Sequence, residues 1–208
     1  MNYAALNAKI KGMSSREPSC CARELAASLC RYIPDKLQRD FVIDAAFAAA
    51  HGGSLHYYSA QWKRLNKLDK LNRVALRGAL GAEIDLNNIL WMYRLKRYHR
   101  VTGDATFGYL VPMRYKLSRE TTRLMADAVT PKALMDAAAN GPYAADFRHF
   151  AVKGHDMFQG GLTPDEMLGK AIARRYRSAA RRYPNTLAPA LAFIQDMKQP
   201  PALRATPF

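Results

Sequence analysis

The residues that could do covalent or metal chemistry are few, and their spacing decides whether they form a site. The five histidines lack the HExxH spacing that binds zinc from one helix face. The cysteines, Cys20, Cys21 and Cys30, have no CxxC spacing, so we expect small hydrophobic side chains rather than metal ligands. Glu83 and Asp85 are two residues apart and point to different faces of a helix, which makes a poor acid–base pair. The sequence therefore predicts a protein that is not an enzyme and holds neither a cofactor nor a metal.

Basic side chains form two clusters that could bind an acidic surface. The first lies at 94–100 and ends a long helix, where cations suit the negative end of the helix dipole. The second lies on a helix that begins near Thr163. Four of its cations share one face at spacings of four, three and four residues, and they form the candidate partner-contacting basic face: Lys170, Arg174, Arg177 and Arg181. An ordinary solvated face is the alternative interpretation.

The net charge is +15, from 32 Lys and Arg against 17 Asp and Glu. Both halves of the chain are similarly basic, which predicts that the charge is spread over the whole fold. Such a balance favours an acidic partner, whether nucleic acid, anionic lipid or an acidic protein surface, and does not distinguish among them. The sequence shows no recognisable helix-turn-helix pattern of two helices joined by a short turn, so we expect sequence-specific DNA recognition to be the weaker alternative.

Helical periodicity runs through most of the chain and no segment alternates as a strand does, so the predicted fold class is all-α. Apolar side chains cover two sides of a long helix at 69–99. This helix, with Leu71 and Val74 among its apolar residues, should therefore be sandwiched between neighbours. Gly78 and Gly81 are its weak point, where we expect either close packing or a break.

The starts and stops of the helices divide one predicted all-helical domain, 1–208, into four parts. An N-terminal helical segment (1–34) precedes a core unit (35–161) that contains the long helix. A C-terminal helical pair (162–199) and a tail (200–208) follow. The sequence has no apolar run approaching the ~18 residues needed to span a bilayer and no secretion signal at its start. We therefore expect a cytoplasmic protein.

Two segments carry a resemblance to a known family. Residues 83–98, EIDLNNILWMYRLKRY, resemble the hallmark of the V/A-type ATPase central-stalk connector family, whose members occur in archaeal-type, bacterial and eukaryotic enzymes. Members carry here an acidic residue, an aliphatic residue, Asn-(Leu/Ile) and a basic-aromatic ending. Residues 109–118, YLVPMRYKLS, resemble the Leu-Ile-Pro-x-x-Tyr-Lys-Leu segment of the bacterial branch, and shorter matches lie at 3–10 and 184–194.

The resemblance implies an all-helical, funnel-shaped protein built from repeated helical units, which binds the central stalk and the membrane rotor ring. Its implied role is to couple ATP-driven rotation to proton or sodium transport, without nucleotide or metal, as a peripheral protein on the inner face of the membrane. By this resemblance, the structural signature of the family corresponds to these residues of the chain: Glu83, Asp85, Asn88, Trp91, Tyr93, Arg94 and Tyr98. Asp85 and Asn88 on a buried helix need polar partners, one of which Arg94 could supply.

The chain departs from the family in being short. Members carry three repeat units, whereas this chain matches the first helix and roughly the last unit, so we expect a shortened or divergent member with an incomplete set. Two alternatives remain at this point. One is a basic helical nucleic-acid-binding protein, suggested by the net charge, and the other is a degenerate paralogue that acts in ATPase assembly.

Overall fold

A computed structural model describes residues 3–13, 22–147 and 163–198, and every regular element in these ranges is helical. The predicted all-α fold class is therefore confirmed. A π-helical turn, Leu95–His99, extends the long helix, and a 3₁₀ helix, Gly103–Tyr109, follows it. Nine α-helices are described: α1 (Tyr3–Met13), α2 (Ala22–Cys30), α3 (Lys36–His51), α4 (Leu55–Leu65), α5 (Lys70–Arg94), α6 (Arg119–Asp127), α7 (Pro131–Ala139), α8 (Pro164–Arg182) and α9 (Ala188–Met197).

Side-chain caps explain where most of these helices begin. A side-chain oxygen accepts a hydrogen bond from the backbone N–H two or three residues ahead, which satisfies a donor that the first helical turn leaves unpaired. At α8 the cap is reciprocal, because Thr163 Oγ1 accepts from Glu166 N (3.2 Å) while the Glu166 carboxylate accepts from Thr163 N (2.7 Å). The other capping residues are Asp35, Ser54, Asp69, Ser118 and Thr130.

The chain forms two compact units, and it passes from one to the other within α5 and within α8. Unit 1 comprises the ranges 1–80 and 172–208, and unit 2 comprises 81–171. None of the described helices is long and apolar enough to cross a membrane. The segment boundaries that the sequence predicts after residues 34 and 161 remain predictions.

The core of unit 1 surrounds α9, in which every residue from Ala188 to Gln195 is buried. This helix packs against α1 and α3. Fully buried Asn72 links three helices, because its side chain donates to Tyr3 Oη (2.8 Å) and accepts from Leu187 N (2.7 Å) at the start of α9. Burial alone would raise the pKa of Asp69, but hydrogen bonds from the Asn72 side chain and from nearby backbone N–H groups outweigh it and lower the pKa.

Unit 2 is organised around the second half of α5. Six consecutive α5 residues, 81–86, are buried, so this part of the helix is covered on all sides, as its apolar pattern predicted. The helix is unbroken at its glycines. In unit 1, by contrast, Leu71 and Val74 of α5 are 49% and 51% exposed, so the expectation that this end would also be enclosed is wrong.

The charge is not evenly distributed between the units. Unit 1 contains 20 basic and 7 acidic residues, a net charge of +13, whereas unit 2 contains 12 and 10, a net charge of +2. The expectation of an even spread is therefore wrong. Division of the sequence at its midpoint hides this difference, because the basic segment 172–208 belongs to the same unit as residues 1–80.

Candidate functional site

The loop at 110–118, between the 3₁₀ helix and α6, is anchored to the buried face of α5 by Asp85. Asp85 is completely buried, and its carboxylate accepts hydrogen bonds from three successive backbone N–H groups of the loop. The distances are 3.0 Å to Tyr115 N, 2.7 Å to Lys116 N and 3.1 Å to Leu117 N. The Tyr143 hydroxyl also donates to this carboxylate, at 2.7 Å. Four donors thus solvate a buried negative charge, which satisfies the requirement that a buried ion be hydrogen-bonded.

Asn88 anchors the start of the same loop one helical turn further along α5. Its amide nitrogen donates to Val111 O at 3.2 Å, and its amide oxygen accepts from Val111 N at 2.9 Å. A spacing of three residues places Asp85 and Asn88 on one face of the helix. The two side chains therefore fix both ends of the loop. Their partners are backbone groups of the loop and the Tyr143 hydroxyl, so the expectation that Arg94 would supply one is wrong.

Gly81 lets the loop approach α5 closely. A Cβ added to Gly81 would lie 2.4 Å from Cγ and 2.8 Å from Cβ of Tyr115, inside the van der Waals contact distance. Because Asp85 holds the backbone N–H of Tyr115 itself, the ring cannot move off without straining that hydrogen bond. Of the two outcomes expected at the helix glycines, close packing is the one found at Gly81.

Gly81→Ala is expected to lower the free energy of unfolding by about 2 kcal/mol, because overpacking at this contact exceeds the helix propensity that alanine gains. Urea denaturation followed by circular dichroism measures the change. Gly12→Ala is the matched control, since an added Cβ at that helical glycine meets nothing within 4 Å. A Gly81→Ala variant as stable as the control would contradict the close contact.

The anchored loop presents cations to solvent. Arg114 and Lys116 are exposed, and half-buried Tyr115 between them packs its ring against Gly81 of α5. The ammonium group of Lys116 lies 6.0 Å from the centre of the Tyr115 ring. Since anchoring by α5 removes most of the backbone freedom of the loop, a partner that binds these cations would not have to order it.

The sequence range that contains α4 to α9 and this loop has a counterpart among known families. The family described as "ATP synthase (C/AC39) subunit" matches residues 54–199, well over half of the chain. The chain belongs to this family. The resemblance to the V/A-type ATPase connector family is thereby confirmed. Membership in this family implies that the chain is a subunit of a V/A-type ATPase. No curated protein and no solved structure gives a significant match.

The remaining signature residues of this C/AC39 family member are distributed differently. Glu83 and Tyr93 are buried and Trp91 is half-buried, whereas Tyr98, on the π-helical turn, is 65% exposed. Arg94 is exposed and forms an ion pair with Asp165 of α8. The structure therefore brings Asp85 and Asn88 together at the loop but leaves Tyr98 outside the core.

Lys96 lies within the basic cluster at 94–100, yet it is only 4% exposed. Its ammonium group donates to Ala126 O at 2.7 Å, near the end of α6, where a cation satisfies a carbonyl that the helix leaves unpaired. Burial lowers the pKa of Lys96, and the nearby carboxylate of Asp127 opposes part of that shift. Lys96 is therefore part of the packing of unit 2 and not of a docking surface.

The predicted basic face of α8 is also divided. Arg174 and Arg181 are exposed and Lys170 is half-buried. Arg177, however, turns towards α9 and forms an ion pair with Asp196 at 2.8 Å, with both side chains more than four-fifths buried. Burial raises the pKa of Asp196, while Arg177 opposes that shift. Arg177 therefore joins two helices of unit 1.

Proposed function

We propose that this chain is a non-catalytic coupling subunit of a rotary V/A-type ATPase. In this role it links the central stalk to the membrane rotor ring and so supports ATP-driven proton or sodium transport. It lies at the cytoplasmic inner face of the membrane as a peripheral subunit. Its partners are the central-stalk subunits and the rotor ring, and it contributes no active site, cofactor or metal of its own.

The observation that carries this proposal is the family match over residues 54–199. The match includes the anchored loop, whose three backbone hydrogen bonds to Asp85 fix the segment that carries Arg114 and Lys116. A subunit that transmits torque must not deform under load, and a loop fixed at both ends to a buried helix meets that requirement. Most of the signature residues serve this function by holding the shape of the unit: Glu83, Asp85, Asn88, Trp91, Tyr93 and Arg94. The exposed cations of the loop contact the partner, and exposed Tyr98 is outside the core.

Deletion and complementation test the proposal in the source cell. Deleting the gene is expected to abolish ATP-driven ion pumping in membrane vesicles while ATP hydrolysis continues, because the stalk no longer turns the ring. An affinity-tagged copy should restore pumping and co-purify with stalk and rotor-ring subunits. An intact complex that consistently lacks the chain, with pumping unchanged in the deletion strain, would overturn the proposal.

Charge reversal in the loop tests the contact surface. Arg114→Glu with Lys116→Glu is expected to reduce recovery of the stalk subunits about tenfold, since two charged contacts become repulsive. Lys36→Glu with Lys132→Glu, a pair of exposed residues elsewhere, changes the net charge by the same amount and should leave recovery unchanged. Equal losses from the two pairs would show that net charge, and not the loop, controls binding.

The assembly-factor alternative makes a different prediction in the same strain. If the chain acts only in assembly, deletion lowers the amount of assembled complex, and the mature complex that remains pumps normally without the chain. The nucleic-acid alternative draws on the +13 of unit 1 and predicts binding to DNA or RNA that weakens steeply as salt rises.

A further inference from the structure

Helices α4 and α5 of unit 1 form a hairpin whose outer surface combines cations with exposed apolar side chains. The two helices are joined by a short turn, and they make contact where the guanidinium of Arg77 on α5 lies 5.4 Å from the ring centre of Trp62 on α4. The residues of this surface belong to unit 1, whereas those of the anchored loop belong to unit 2. The residues of this hairpin surface are Trp62, Lys67, Lys70, Leu71, Val74 and Arg77.

The hairpin surface has a regular order. Lys70, Val74 and Arg77 follow one another at spacings of four and three residues, so they lie in one row along α5. Leu71 lies beside Val74, and the two aliphatic side chains are 49% and 51% exposed. An apolar centre is thus bounded by a cation at each end. The two cations are seven residues apart, about 10 Å along the helix axis at 1.5 Å per residue.

The cations of this surface are not neutralised within the described residues. None of the described carboxylates forms an ion pair with Lys67, Lys70 or Arg77. The acidic residue nearest in sequence, Asp69, accepts hydrogen bonds from Gln38, Leu71 and Asn72, so its charge is used inside unit 1. Stacking on Trp62 also holds the Arg77 guanidinium in place while leaving its edge donors able to bind a carboxylate.

We propose that the hairpin surface binds an acidic amphipathic helix of a partner protein. A helix that lays leucines over Leu71 and Val74 brings carboxylates seven residues apart next to Lys70 and Arg77, because both helices have the same rise. The net charge of +13 on unit 1 speeds the approach of such a partner, and the buried aliphatic contact gives the complex its affinity.

The apolar centre favours a protein over the other anionic partners. Nucleic acid is bound through its phosphates, and aliphatic side chains at the centre of the surface add nothing to those contacts. A lipid surface takes up helices whose whole apolar face enters the membrane by about 5–10 Å. Leu71 and Val74 are half-covered in the hairpin, so they protrude too little for that insertion.

A binding assay with the purified full chain tests the proposal. The probe is a fluorescein-labelled acidic peptide of about 20 residues, with leucines on one helical face and glutamates flanking them. A peptide of the same composition with the leucines distributed around the helix is the control for amphipathicity. A DNA duplex of about 20 bp and vesicles containing phosphatidylserine are the probes for the other two partner classes.

We expect the amphipathic peptide to bind about tenfold more tightly than its rearranged control, a difference in free energy of about 1.4 kcal/mol. Lys70→Glu with Arg77→Glu should weaken that binding at least about tenfold, and Leu71→Gln with Val74→Gln about fivefold at unchanged charge. Arg119→Glu with Lys132→Glu, two exposed residues of unit 2, shifts the net charge as much as the first pair and should have little effect. Circular dichroism verifies that each variant is folded.

Several results would overturn the proposal. Equal affinity for the two peptides would do so, as would equal weakening of peptide binding by Arg119→Glu with Lys132→Glu. Binding of the DNA duplex or the vesicles that is tighter than peptide binding, and that the hairpin variants abolish, would also do so. Absence of binding by any probe would do the same. The assay needs only the isolated chain, so its outcome is independent of whether the chain co-purifies with an ATPase.

Discussion

Replacing Asp85 with alanine is expected to lower the free energy of unfolding by about 4 kcal/mol, because three backbone N–H groups and one hydroxyl lose their common acceptor. The Leu117 N–H and the Tyr143 hydroxyl lie in buried surroundings, where water does not replace the carboxylate. The N–H groups of Tyr115 and Lys116 are partly accessible, and this keeps the cost below the sum for four fully buried donors.

Thermal and urea denaturation measure this loss, and amide hydrogen exchange locates it. A change of this size corresponds to a fall of roughly 12 °C in Tm for a chain of about 200 residues. The amides of residues 115–117 should lose their protection, since their acceptor is gone. Asp85→Asn keeps the volume but turns an NH₂ group towards N–H donors, so it should retain at least half of the destabilisation.

Asp136→Ala is the control, because Asp136 is an exposed carboxylate on α7, and its loss should change stability by less than about 0.5 kcal/mol. Tyr143→Phe removes one of the four donors and should cost about 1 kcal/mol alone. It should cost less in the Asp85→Ala background, where the hydrogen bond between the hydroxyl and the Asp85 carboxylate has already been removed. Additive effects of the two substitutions would show that the Tyr143 hydroxyl does not bind Asp85.

The positions that form the site were visible in the sequence, but their partners were not. A carboxylate and an amide three residues apart on an otherwise apolar helix predict buried polar groups that need hydrogen bonds. Backbone N–H groups carry no sequence signal, so the sequence pointed to the Arg94 side chain as a partner. In the structure, backbone N–H groups of the loop donate these hydrogen bonds instead. One signal pointed to the loop in advance: residues 109–118 resemble a segment that follows the hallmark helix in the same family.

Other features depended on tertiary contacts that periodicity cannot register. Lys96 looked like a surface cation because its neighbours in sequence are basic, but the π-helical turn and the end of α6 enclose it. Leu71 and Val74 looked like core residues because their spacing is helical, although α5 is only half covered in unit 1. The helices themselves were predictable, since their caps and apolar stripes are local properties of the sequence.

Replacing Arg177 with methionine is expected to lower the free energy of unfolding by about 3 kcal/mol at neutral pH, because it leaves the Asp196 carboxylate buried without its counter-ion. The side chains of Arg177 and Asp196 are 17% and 15% exposed, so water solvates the remaining charge only in part. The value lies at the lower end of the range for fully buried pairs for that reason.

The pH dependence of this loss identifies its cause. Burial already raises the pKa of Asp196, and removal of Arg177 should raise it further. The folded variant then holds a proton on Asp196 at a pH where the unfolded chain has released it, so its stability falls as the pH rises from the unfolded pKa to the folded pKa. The deficit relative to the unsubstituted protein should therefore be largest near pH 7 and shrink as the pH falls towards about 4, the ordinary pKa of aspartate.

A double substitution separates the cost of an unpaired charge from the value of the ion pair. Arg177→Met with Asp196→Leu replaces both ions by apolar groups and should regain most of the loss, to within about 1 kcal/mol of the original stability. Arg181→Met, four residues further along α8 and exposed, should change stability by less than about 0.5 kcal/mol. If Arg177→Met behaves like Arg181→Met at every pH, then Arg177 is a solvated member of a basic face, as its spacing first indicated. If the double variant recovers, Arg177 stabilises the packing of α8 against α9, and an acidic partner at the predicted basic face meets Lys170, Arg174 and Arg181 without it.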